Sequence, residues 1–176
     1  MSEQIKTQGT GLTGLSNLGN TCFINAAMQC LSHTYELNTY LDTNKYKMML
    51  NNNDDDILLK EWDELRKLMW SENCIISPGK FLNTIQNVAN IKDKHIFTGF
   101  AQNDLPEFLL FIIDCFHNAI KHEVNMTIQG NVVTKKDSLA IKCYNMIKNM
   151  YKKEYSEIIN LFYGCHVSQI ISENNK

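Results

Sequence analysis

Residues 11–31 read GLTGLSNLGNTCFINAAMQCL and restrict the chain more than any other stretch. Glycines at 11, 14 and 19 permit backbone turns closed to other residues. From Cys22 onward the apolar residues Phe23, Ala27, Cys30 and Leu31 recur at helical spacing. Asn20 and Thr21 are residue types that cap helix N-termini. A coil therefore becomes a helix at Cys22, whose sulfur sits at the positive end of the helix dipole, where unpaired N–H groups favour an anion. That is how a thiol becomes a nucleophile. On the same helix Asn25 and Gln29 are expected to form a solvated polar stripe, whereas Cys30 falls on the apolar side and is expected to pack.

A length of 176 residues fits one domain with a real core. A net charge of −2 points to neither a nucleic-acid surface nor a polybasic membrane patch. The sequence has no N-terminal apolar core of signal-peptide length and no run near the roughly 20 apolar residues of a membrane span. A soluble, intracellular protein, cytoplasmic or nuclear, is the expectation. Six cysteines, at 22, 30, 74, 115, 143 and 165, include no C-x-x-C pair, so they are read as reduced thiols, all but Cys22 buried as small hydrophobes.

Residues 1–10 lack periodicity and read as a flexible lead before a single domain at 11–176. A short helix is expected at 35–41. The run NNNDDD at 51–56 reads as a polar loop whose aspartates cap the next helix; its adjacent carboxylates lack the alternating spacing of a calcium loop. Residues 57–70 predict an amphipathic helix with Leu58, Trp62, Leu65 and Met69 inside and Lys60, Asp63, Glu64 and Lys67 outside. Ser77 and Pro78 signal the start of a helix carrying Phe81, Ile85, Val88 and Ala89. After a loop at 90–101, a helix over 104–122 is apolar around most of its circumference. Asp104 and Glu107 are spaced as a capping pair and Pro106 is tolerated in the first turn. This helix is expected to pack against the one that begins at Cys22. A weak hairpin around Gly130 and Asn131, or a disordered insert, is expected at 126–134. Helices are expected at 137–153 and 156–162, with Gly164 ending the latter and a strand at 165–171.

Thiol acyl transfer needs a nucleophile, a base for its proton, a group orienting that base, and donors for the oxyanion. Cys22 supplies the first. The histidines are His33, His95, His117, His122 and His166. His117 and His122 fall on the predicted 104–122 helix, where a packed or solvated ring is the ordinary outcome. His166 neighbours Cys165 in sequence, and adjacent residues of a strand face opposite ways.

The run Asn17-Leu18-Gly19-Asn20-Thr21-Cys22 resembles the cysteine box of the ubiquitin-specific proteases, papain-like deubiquitinating enzymes. Residues 102–109, QNDLPEFL, resemble that family's QQDAxEFL box, and residues 156–168, SEIINLFYGCHVS, resemble the segment leading into its finger region. The three stand in the family's order. The resemblance implies an α+β papain-like fold, of which this chain is the mostly helical thumb half, truncated before the histidine box.

It also implies thiol-dependent hydrolysis at the C-terminal glycine of ubiquitin or a ubiquitin-like protein. Cys22 is then the nucleophile and Asn17 an oxyanion donor beside the Cys22 N–H. Gln102 and Asp104 hold the extended, basic tail. None of the five histidines lies in a segment resembling the histidine box, so a second segment or chain is expected to supply the base. The rival expectation is an inert ubiquitin-binding or regulatory module on a degenerate protease scaffold. Where many members carry a zinc-binding C-x-x-C, this sequence has Ser172 and Asn175, so neither a metal nor any other cofactor is expected.

Overall fold

The computed structural model describes residues 10–99, 101–168 and 170. It divides into two compact units, Met1–Lys121 and His122–Lys176. The first nine residues, read as a flexible lead, lie outside the described ones.

Among the described residues the first unit is mostly helical. It contains α1 (Cys22–Ser32), α2 (Tyr35–Asp42), α3 (Asp55–Ser71), α4 (Gly79–Ile91) and α5 (Leu105–Ile120). Its sheet is minimal: β1 (Gly14–Leu15) pairs in parallel with β2 (Ile75–Ile76), Gly14 opposite Ile75. Neither strand is signalled by the sequence, since two residues give no alternation to read.

The core is organised on α3. Trp62, fully buried, lies 6.0 Å from the Phe81 ring of α4 and stacks 6.3 Å from Phe116 of α5. Burying a ring of this size contributes on the order of 3 kcal/mol. Its face is legible from sequence in Leu58, Trp62, Leu65 and Met69, all of which are buried. Asp63, expected outside, is instead 2 % exposed, as is the nearby Arg66 at 4 %. Asp63 is tolerated because Arg66 Nη2 donates to Oδ1 at 2.6 Å, while Lys67 Nζ (2.6 Å) and Tyr46 Oη (2.8 Å) donate to Oδ2.

Helix α5 begins where its sequence says: the Asp104 carboxylate accepts from the Glu107 N–H at 3.1 Å, and Pro106 occupies the first turn. It packs on α1 as expected, with Phe23 and Phe108 edge to face at 5.2 Å. By contrast, the 51–56 run does not use its aspartates in the expected way. Asn53 Oδ1 accepts from the Asp56 N–H at 3.2 Å and Asp56 Oδ2 accepts from the Asn52 N–H at 2.9 Å.

The second unit holds α6 (Lys135–Lys153) and α7 (Glu157–Phe162). Thr134 and Asp137 form a capping box, so α6 starts two residues before the expected position. The Asp137 carboxyl is held below its ordinary value by bonds from the Thr134 and Val133 N–H groups. His122 and Tyr155 exchange backbone hydrogen bonds of 2.9 and 2.8 Å in an isolated antiparallel bridge.

The hairpin at 126–134 does not form. Met126 and Ile128 share a cavity of about 370 Å3 with Ala140, Ile141 and Tyr144 of α6, so the helix rather than a second strand receives them. Nor do the described residues from 165 to 170 form a strand; residues 169 and 171 lie outside the description.

Candidate active site

The loop before α1 is built around one amide. Asn17 Oδ1 accepts from the Gly19 N–H (3.1 Å), the Thr21 N–H (3.1 Å) and the Thr21 hydroxyl (3.0 Å). Two backbone N–H groups can only donate, so the atom facing them must be the oxygen. The amide orientation is thereby decided, and Nδ2 is the end left over for another partner. Gly19 at φ 101° and Asn20 at φ 52° make the turn between Asn17 and Thr21, where glycine and asparagine carry the least strain.

Thr21 stands at the N-cap position and does not cap. Its hydroxyl donates to Asn17 and accepts from the Leu18 N–H at 3.0 Å, leaving α1 with no side-chain cap. The first-turn N–H groups, including that of Cys22, thus remain available to an incoming anion. Cys22 itself is exposed, as the nucleophile reading requires.

Two residues that sequence assigned to a solvated stripe have a different part. Asn25 Nδ2 donates to the carbonyls of Leu15 and Ser16, both at 3.1 Å, and Gln29 Nε2 donates to that of Thr13 at 2.7 Å. They fasten the approach strand along α1 and so position the loop that carries Asn17. Helical spacing places them on the side of Cys22, but only the returning strand gives them partners.

Gln102 and Asp104 are both exposed, just before and at the N-cap of α5. The Phe23–Phe108 contact joins the first turns of α1 and α5, so the N-termini of the two helices lie side by side. A narrow cleft between them is lined by Gly19, Asn20 and Thr21 on one side and by Gly99, Ala101 and Phe108 on the other. Phe97 also lines it, held against Phe108 at 5.5 Å, which nothing in the 90–101 sequence signals.

Two of the histidines, His33 and His117, are placed away from Cys22 by their own helices. His33 lies past the far end of α1, roughly 16 Å from Cys22 by the rise per residue, with Nδ1 at the Gln29 carbonyl (2.9 Å). His95 is exposed, with Nε2 3.9 Å from Asp93, and His117 is buried on α5. His122 and His166 belong to the second unit.

The remaining thiols correct a further expectation. Cys115 is fully buried, but Cys30 and Cys74 are exposed, and Cys143 and Cys165 are half-buried. Cys30 lies among the apolar residues of α1 in sequence, yet the core closes over Ala27 and Leu31 and leaves it outside. Burial, with a bond to Asp55, pushes the Cys115 thiol far up and keeps it protonated. Iodoacetamide at neutral pH should therefore alkylate Cys22, Cys30 and Cys74 about a hundredfold faster than Cys115. Peptide mass spectrometry after timed quenching checks this, and denaturation should abolish the difference.

Ser172 and Asn175, which stand where many family members carry metal-binding cysteines, lie outside the described residues. No helix among the described residues is long and apolar enough to cross a membrane.

Comparison with known proteins bears on this geometry. The family model described as ubiquitin carboxyl-terminal hydrolase matches residues 13–176. Ubiquitin carboxyl-terminal hydrolase 2 of Homo sapiens is 40% identical over 114 residues, covering 62% of this chain and 18% of that protein. Ubiquitin carboxyl-terminal hydrolase 15 of Xenopus tropicalis is 32% identical over 170 residues, covering 92% of this chain and 16% of that protein. The chain thus spans less than a fifth of the length of these relatives. A match running from the Asn17 loop through both helix N-termini and on through the second unit means that the chain belongs to the ubiquitin carboxyl-terminal hydrolase family.

Proposed function

We propose that this chain is the mostly helical thumb part of a papain-like cysteine protease domain. Its reaction is hydrolysis of the isopeptide or peptide bond after the C-terminal glycine of ubiquitin or a ubiquitin-like protein. The observation that carries this reading is an exposed cysteine at an uncapped helix N-terminus, beside an asparagine whose oxygen is committed to the loop.

In this mechanism the Cys22 sulfur attacks the glycine carbonyl carbon. The oxygen becomes an oxyanion and accepts from the Cys22 N–H and from Asn17 Nδ2, donors worth about 3 kcal/mol each in such sites. The tetrahedral intermediate collapses to a thioester as the amine leaves with a proton, and water then releases the modifier's carboxylate. Gln102 and Asp104 hold the extended tail before the glycine. One oxygen of Asp104 caps α5 and the other remains for an arginine or a backbone N–H of the tail, so both roles coexist. The proton passes through a histidine supplied by another segment or chain, since His33 is a helix length from Cys22 and His117 is buried on α5.

Ubiquitin carrying an electrophilic C-terminus tests the reading. The chain should gain the mass of one ubiquitin at Cys22, and a Cys22→Ala variant should gain none. Labelling of Cys30 or Cys74 at the same rate would refute it, and binding without labelling would favour an inert ubiquitin-binding scaffold.

A further inference from the structure

We propose that Cys143 and Cys165 form a peroxide-responsive thiol pair that closes to a disulfide between α6 and the segment after α7. Both are free and half-buried, and the two thiols lie within interaction range of one another. The contact is not an isolated approach of two side chains. Tyr163, Gly164 and Cys165 line a cavity of about 90 Å3 with Met146, Ile147, Met150 and Tyr151 of α6. Met146 and Ile147 are three and four positions beyond Cys143 and therefore share its face of the helix. The chain leaving α7 thus runs back along one face of α6 and brings residue 165 to residue 143.

The neighbourhood suits oxidation. A disulfide needs the two sulfurs to approach to about 2.0 Å, which neighbouring thiols reach largely by side-chain rotation. A Cβ placed on Gly164 would meet nothing within 4 Å, so the residue beside Cys165 is not tightly packed. The interaction with Cys143, with a smaller contribution from burial, holds the Cys165 thiol above its ordinary value. Either sulfur can attack first, and the step is written below for Cys143. Cys115, by comparison, is sealed in the first unit's core, while Cys30 and Cys74 show no thiol partner among the described residues.

The chemistry balances with hydrogen peroxide as oxidant. The Cys143 sulfur attacks one peroxide oxygen and the O–O bond breaks, giving a sulfenic acid and a hydroxide that takes up the thiol proton as water. Cys165 sulfur then attacks the sulfenic sulfur, the S–O bond breaks, and hydroxide leaves with the Cys165 proton as a second water. The two thiols lose two electrons and the peroxide gains them. The disulfide closes a loop of roughly twenty residues containing the turn from α6 to α7, and a thiol reductant reopens it.

The test uses the full 176-residue chain. It is exposed to peroxide, blocked with iodoacetamide, digested with trypsin without reductant and analysed by mass spectrometry. Residues 143–148 and 154–176 should be recovered as one linked species lacking two hydrogens, sensitive to dithiothreitol. It should form about tenfold faster than any cross-link involving Cys30 or Cys74, and the preference should vanish in urea. Cys143→Ser and Cys165→Ser should each abolish it while the helical circular dichroism is retained. The proposal is overturned if the two peptides from the wild-type chain are singly alkylated, over-oxidised, or linked to other cysteines.

Discussion

Replacing Asp63 by alanine should destabilise the first unit by about 3–5 kcal/mol, the range for breaking a buried ion pair from one side. Asp63 lies on α3 with both carboxylate oxygens engaged, by Arg66 on one and by Lys67 and Tyr46 on the other. Removing it leaves Arg66, itself 4 % exposed, with a single carboxylate at Asp42 (2.7 Å), and leaves the buried Tyr46 hydroxyl without its acceptor. Asp63→Asn preserves volume and one acceptor, so a smaller loss is expected. Asp63→Leu combined with Arg66→Leu should recover part of the alanine loss, because it removes both buried charges together.

Urea unfolding followed by tryptophan fluorescence reads these effects directly, since Trp62 and Trp70 are the chain's two tryptophans and both lie on α3. A pH dependence accompanies them. Burial acts to raise the Asp63 carboxyl, but the bonds from Lys67, Arg66 and Tyr46 outweigh it and hold the group below its ordinary 3.8. A carboxyl lowered on folding stabilises above its unfolded value and loses that contribution as pH falls through the folded one. Wild-type stability should thus fall below about pH 4 more steeply than that of Asp63→Asn. Equal acid profiles for the two proteins would show that the network contributes nothing.

The second large effect concerns Asn17, whose two ends do different work in the proposed mechanism. Asn17→Asp keeps an oxygen for Gly19 and Thr21 but has no N–H to offer. The loop should remain folded, and acylation of Cys22 by a ubiquitin C-terminal thioester should slow about 10²- to 10³-fold. A thioester is the suitable substrate because its leaving thiolate needs no general acid, so the measurement does not wait on a histidine. The rate is compared on the alkaline plateau, where the added carboxylate no longer alters the ionised fraction of the nucleophile. Asn17→Ala should lose the rate and also the loop's three bonds, visible as faster proteolysis between β1 and α1. If Asn17→Asp acylates at the wild-type rate, Asn17 is a loop-holding residue and no oxyanion donor.

Much of this is written into local sequence. The helix at Cys22, the capped start of α5 at Asp104 and the inward face of α3 come from residue type and spacing, because capping and 3.6-residue periodicity act within a turn or two. The same local rules explain the misreadings. Asp63 reads as outside because its own helix says nothing of Tyr46 and Asp42, which arrive from elsewhere in the chain. Asn25 and Gln29 read as solvated because the segment that occupies them is nine to sixteen residues away. The hairpin at 126–134 is expected from a glycine turn, but α6 supplies an apolar surface first.

By itself, then, the sequence determined that a thiol would stand at a helix start, with an amide five residues before it and a second helix start bearing a carboxylate. Only the tertiary structure decided that Thr21 forgoes its cap to hold Asn17, that Phe23 and Phe108 bring the two helix N-termini together, and that Cys165 returns to the face of α6. The reason is physical: a cap or a periodic face is chosen by neighbours along the chain, whereas partners for a buried charge, an amide or a thiol are chosen by whichever distant segment closes over them.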